Sequence, residues 1–254
     1  MFYVINLACI LLVVGVHEYG HLFFAKRFGL WVPDFSIGLG PRFLSWACNG
    51  TIYSIRLIPF GGFVNIPVEQ MEKLPKWRKI QILFGGPLAN LLLCVAVGTL
   101  AIISGYTPQF LEGLPWYWLL LFVTLGTTIL FLILVPLSVW AVVSILLHPI
   151  ESFEHVGGPI AIIKGEAVPA DWINGLPVGY QILLIIYILS LSVGSFNLMP
   201  ISMLDGGRIF RTLFERFPRF VTVWDWATGM FLFVLIVYLL GGDLLKLALK
   251  ALAT

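Results

Sequence analysis

The sequence predicts an all-α polytopic membrane protein: about four transmembrane helices, a membrane-embedded or re-entrant helical element over 116–147, and a small membrane-associated β-hairpin sheet in the 26–79 loop. Three observations predict it. Hydrophobic residues fill 59% of 254 positions, charged residues only 11%, and the mean hydropathy is +0.98, far from the composition of a soluble domain. Apolar stretches at 2–25, 80–104, 116–147, 178–204 and 221–242 each reach the roughly 20 residues that cross a bilayer. Between the first two, residues 44–66 alternate apolar and polar side chains around Asn49-Gly50, a hairpin signal.

The first stretch is too long for a cleavable signal peptide and its polar residues lie near its far end, so it reads as a retained span. The loop that follows, 26–79, carries eight basic residues; 205–220 carries Arg208, Arg211, Arg216 and Arg219, and 105–115 carries none. By the positive-inside rule the two basic regions are cytoplasmic and the N-terminus lies outside. The second span opens with "FGGPLAN", where Gly86 permits close helix contact and Asn90 reads as a structural hydrogen-bonding residue between helices.

That orientation makes 116–147 return to the side it left, since 178–204 must also start outside. With Pro136 near its middle, 116–147 is read as a kinked embedded or re-entrant element or a tight pair of short helices, with five full spans as the rival. The span 178–204 ends in "SFNLMPISMLDGG", and 221–242 is the last. The terminal "GGDLLKLALKALAT" spaces Leu and Lys as an amphipathic surface helix does. Residues 1–254 read as a single integral membrane domain. Cys9, Cys48 and Cys94 read as packing residues, with no disulfide expected.

Within the first span lies "VGVHEYGHLFFAKRF", residues 14–28. His17 and His21 are four apart and share one helix face, so both imidazoles can reach one metal ion. Glu18 sits beside them. H-E-x-x-H on a helix is a zinc-protease signature, two nitrogen ligands with a carboxylate able to take a proton from water. Ionisable groups inside spans are rare and by default functional. His148 and His155, near Glu151 and Glu154 at the membrane edge, read instead as satisfied structural residues.

Catalytic zinc takes three protein ligands. The extended pattern with a third downstream histidine fails, because Phe24 and Arg27 occupy its glycine and histidine positions. Asp34 precedes a stretch that reads as a turn, and Glu69 and Glu72 lie in a charged stretch. Asp205 is the better candidate: it closes an apolar span, and Gly206 and Gly207 after it allow close backbone approach and a helix break.

Together "HEYGH", "FGGPLAN", "VGGPIAI" and "NLMPISMLDGG", in that order, resemble the site-2 protease family of intramembrane zinc metalloproteases, close to its bacterial, sigma-factor-regulating, RseP-like branch. The resemblance implies Zn2+ held by His17, His21 and Asp205, with Glu18 as general base. It implies cleavage within or near the transmembrane segment of a single-span membrane protein, typically after another protease has trimmed it. Asn197 and Pro200 occupy substrate-contacting positions of the family. In the family the small sheet lies near the active site, which would place Gly61, Gly62 and Phe63 near its tip or edge, where a substrate could add as a strand. The branch usually carries PDZ domains after the second span; only about a dozen polar residues near "SGYTPQFLEG" stand there, too few for a folded domain. A metal-binding transporter or regulator is the non-enzyme alternative.

Overall fold

The computed structural model describes residues 2–106, 112–147 and 175–252. Among these, five helices are long and apolar enough to cross a membrane. The first, α1 (Phe2–Arg27), carries the histidines in its second half. A short helix α2 (Val68–Glu72) leads into α3 (Lys76–Ile103), which starts four residues earlier than the apolar run suggests and is capped by Pro75. Proline suits that place because its missing N–H would have no partner in a first turn. Then come α4 (Trp116–Leu147), α5 (Val178–Asn197), α6 (Asp205–Phe214) and α7 (Pro218–Leu252).

Helices α1, α3 and α5 form the centre. Gly20 on α1 faces Gly85 on α3 so closely that a Cβ on Gly85 would come 2.5 Å from the Gly20 carbonyl oxygen. Small residues at such a seam let two backbones approach, the main source of helix association where lipid removes the hydrophobic drive. It is Gly85, then, that makes the contact predicted for Gly86. Across α3 and α5, Ser190 donates to the Asn90 carbonyl at 3.1 Å and Cys94 to the Tyr187 carbonyl at 3.5 Å. Cys9, Ile10, Val13 and Val14 of α1 pack with Ile185, Ile186 and Leu189 of α5 in the largest apolar cluster.

The element 116–147 is one continuous helix of 32 residues that contains Pro136, not a pair of short helices. It runs in the same direction as α5: Thr127 meets the Tyr187 hydroxyl at 3.0 Å, and Phe131 further along packs on Leu191. Most of the chain between α4 and α5, with His148, Glu151, Glu154, His155 and "VGGPIAI", lies outside the described residues.

The predicted hairpin exists and is longer than the alternation suggested. Strands β1 (Asp34–Cys48) and β2 (Thr51–Asn65) pair antiparallel around Asn49 and Gly50, whose φ angles of 49° and 73° are those of a primed hairpin turn. Both strands bend. The first part of β1 meets β2 twice, Phe35 facing both Tyr53 and Val64 and Ile37 facing both Ile55 and Gly62. Asp34 starts β1 rather than preceding a turn, and its carboxylate accepts from Arg42 at 2.7 Å and Arg56 at 3.4 Å. These pairs fold β1 back on itself and leave residues 62–65 as a separate segment beside the helices.

Three further expectations change. The span 178–204 stops at Asn197, because a helix continuing to Pro200 would place a ring against the preceding turn. α7 runs unbroken through the predicted last span and on to Leu252, so the terminal stretch is helical as read but continues the span. Cys9 and Cys94 are buried packing residues, but Cys48 is exposed beside the hairpin turn. All three are free thiols, as expected.

Candidate metal centre and catalytic cavity

His17 and His21 stand one turn apart on α1, and both are buried. The turn 198–204 brings the chain back after α5, so that Asp205 opens α6 instead of closing a span. Its carboxylate points at both imidazoles: Oδ2 is 3.0 Å from His17 Nε2 and 3.2 Å from His21 Nε2, and the two nitrogens are 3.3 Å apart. Burial by itself favours the neutral acid, yet the facing imidazoles of His21 and His17 hold the Asp205 carboxyl well below the usual carboxylate range. Among the described residues this is the one group of three metal-ligating side chains close enough to share an ion.

These separations fit a zinc ion. Ligands about 2.0–2.2 Å from a tetrahedral ion lie roughly 3.3 Å from one another. The space between the ligands is kept by Gly86 on α3. A Cβ there would come within 2.6 Å of His17 Nε2 and closer still to His21 Nε2, filling the cradle. Sequence reading assigned Gly86 to helix contact; only the fold shows that it faces the imidazoles. Glu69 and Glu72 are exposed and take no part.

Glu18 is buried beside the pair, on the wall of a cavity of about 630 Å³ that also contains His17, His21, Asp205 and Asn197. Residues 61–66 of the sheet form the opposite wall. Gly62 lets that segment approach: a Cβ on it would lie 2.7 Å from Glu18 Cγ and 2.6 Å from the Ser36 carbonyl oxygen. Gly61, Gly62 and Phe63 thus line the cavity. Asn197 also lines it, its amide donating to the Val193 carbonyl at 2.8 Å. Pro200 does not; it lies in the α5–α6 turn, where its carbonyl accepts from Trp224 Nε1 at 3.1 Å.

Spanning helices, an H-E-x-x-H pair and a distant aspartate now meet in one place, and a family model described as peptidase family M50 matches residues 5–238. The chain belongs to that family. Among similar proteins, the zinc metalloprotease RasP of Oceanobacillus iheyensis is 52% identical over 60 residues, which is 24% of this chain and 14% of that protein. The zinc metalloprotease Rip1 of Mycobacterium bovis is 34% identical over 110 residues, 38% of this chain and 27% of its own. The RasP of Shouchella clausii is 48% identical over 61 residues, 24% of this chain and 15% of that protein. The matched stretches span less than a third of each relative's length.

One residue changes meaning in the fold. Arg208, read from sequence as a cytoplasmic anchor, lines the cavity; Arg211 forms an ion pair with Asp225. Asn90 bonds across helices as read, and its partner is His17. Its signal in the sequence was only that an amide in a span needs a partner.

Proposed function

We propose that this chain is an intramembrane zinc metalloprotease, a single integral membrane domain that hydrolyses peptide bonds within or near transmembrane segments of membrane protein substrates. The observation that carries this reading is the convergence of His17, His21 and Asp205 beside Glu18, in a cavity enclosed by helices long enough to cross a bilayer. Family membership and the zinc metalloprotease names of RasP and Rip1 support it.

His17 Nε2, His21 Nε2 and the Asp205 carboxylate would hold the ion. When bound, zinc supplies a Lewis acid for the scissile carbonyl and makes water a competent nucleophile near neutral pH. Glu18 takes the proton from the attacking water and returns it to the departing amine. Asn197 donates toward the oxygen on which negative charge develops. A peptide bond locked in a helix presents its carbonyl poorly, so the substrate is held extended against residues 61–65, with Gly61, Gly62 and Phe63 offering the sheet edge. Pro200 shapes the turn that delivers Asp205.

The substrates are single-span proteins already trimmed by another protease. The chain lies in a bacterial plasma membrane with 26–79 and 205–220 on the cytoplasmic side, because the basic residues concentrate there. The test is incubation of the purified chain with a single-span substrate in detergent. Cleavage abolished by a chelator, restored by zinc and lost by at least about 100-fold in Glu18→Gln is the expected result. Metal flux across vesicles without cleavage would support a transporter instead.

A further inference from the structure

Away from the metal centre, three helices long enough to cross a membrane, α3, α4 and α5, enclose a second cavity of about 400 Å³. None of the described residues that line it carries a charge. Its two ends differ. At one, the rings of Tyr106 and Tyr180 stack with centroids 4.5 Å apart, and Trp116, Tyr117 and Trp118 stand exposed at the start of α4. Tyrosine and tryptophan gather where hydrocarbon meets water, so this end sits at headgroup level. At the other end the Thr127 and Tyr187 hydroxyls satisfy each other at 3.0 Å.

The dimensions exclude most occupants. At about 1.5 Å per residue, the lining stretches from Phe122 to Leu130 and from Tyr180 to Tyr187 make the cavity about 10–12 Å deep. One leaflet holds roughly 15 Å of hydrocarbon. Spread over that depth, 400 Å³ gives a cross-section of about 35 Å², far below that of a helix about 10–12 Å across. A protein helix does not fit. Water needs about two to four polar partners, and at the deep end the two hydroxyls already take each other.

The space is also kept open by sequence. Gly98 on α3 is required by contact, since a Cβ there would lie 2.9 Å from Val123 Cγ1, and α3 and α4 touch along that line. Gly126 is different. It lies inside α4, where glycine costs stability relative to alanine, yet the nearest atom to a Cβ there would be Phe122 Cε1 at 3.9 Å, on its own helix. No neighbouring helix excludes a side chain at that position.

We propose that this cavity seats one acyl chain of a phospholipid from the leaflet on the Tyr106–Tyr180 side, with the headgroup at the tyrosine mouth and the chain reaching Thr127 and Tyr187. With no charge in the lining, the site reads the chain and not the headgroup. The bound chain joins the Thr127–Tyr187 bond and the packing of Phe131 on Cys94 and Leu191 in holding α4 to the central helices. The site rests on the spans alone and is independent of the metal centre.

The test uses the full chain in phosphatidylcholine vesicles that contain a small share of phosphatidylcholine with a diazirine on one acyl chain, near its carbonyl or near its terminal methyl. Labelled residues are mapped by mass spectrometry after illumination. In the wild type the shallow diazirine should mark Tyr106 and Tyr180. The deep one should mark Thr127 and Tyr187 several-fold above Leu125 and Ile129, which are exposed at similar depth on α4 outside the cavity lining. Gly126→Leu, whose Cβ meets no neighbouring helix, should abolish labelling of Tyr187 and leave Leu125 and Ile129 unchanged. Exchanging phosphatidylcholine for phosphatidylglycerol, in probe and vesicle alike, should leave the pattern as it was. Labelling of Leu125 and Ile129 at or above that of Thr127 and Tyr187 in the wild type overturns the proposal with no variant needed. Undiminished labelling of Tyr187 in Gly126→Leu, or loss of labelling in phosphatidylglycerol, overturns it as well.

Discussion

The proposed metal centre draws its three side chains from two regions that deliver them by opposite means. At the α1–α3 seam, His17 and His21 ride on a helix that never breaks, pressed against its neighbour at Gly20 and Gly85. At the α5–α6 joint the chain stops at Asn197, turns, and starts again on Asp205. Helix periodicity alone fixes the first geometry, because side chains four apart share a face. The second depends on a turn whose closure requires Gly206 and Gly207 under backbone carbonyls. One region is local chemistry; the other is tertiary assembly.

The difference can be broken from either side. Gly86→Ala attacks the seam where it faces the ligands, with a Cβ 2.6 Å from His17 Nε2. It should abolish stoichiometric zinc, a larger loss than the ~10–100-fold of an outer partner, measured by metal analysis after gel filtration. Gly207→Ala attacks the joint. A Cβ there would meet the Ile201 carbonyl and lie 2.6 Å from the Ser202 nitrogen, so the turn must shift and carry Asp205 with it. Displacement by about 1 Å can cost on the order of 100-fold in turnover, which a cleavage assay with zinc in excess will read. Gly62→Ala reaches α1 only at Glu18 and meets neither imidazole nor the joint. It pushes the sheet away from Glu18 and should reduce cleavage by about tenfold while zinc affinity stays unchanged.

What the sequence made legible follows the same division. The H-E-x-x-H spacing and the Asn-Gly turn are short-range signals, and both appear in the fold as read. Asp205 was recognisable as a carboxylate in an apolar setting, but its place at the start of a helix was not, because Pro200 breaks the span before it rather than the glycines after it. Gly86 meets the imidazoles and Arg208 the cavity only through contacts across helices that no local pattern encodes. The sheet was underestimated for a related reason: Gly38, Gly40 and Pro41 read as breaks in residues 34–43, and their pairing depends on Asp34 holding Arg42 and Arg56. Element 116–147 reads as one helix because apolar packing on α3 and α5 outweighs the hydrogen bond that Pro136 removes.

The central claim is that a carboxylate from the joint and two imidazoles from the seam share one ion. X-ray absorption at the zinc edge, on the wild type and on Asp205→Ala reconstituted with equal zinc, tests it most directly. The account predicts two imidazole nitrogens and one carboxylate oxygen in the wild type, with the carboxylate contribution gone and affinity sharply reduced in Asp205→Ala. Identical spectra and equal affinity in the two proteins would contradict it.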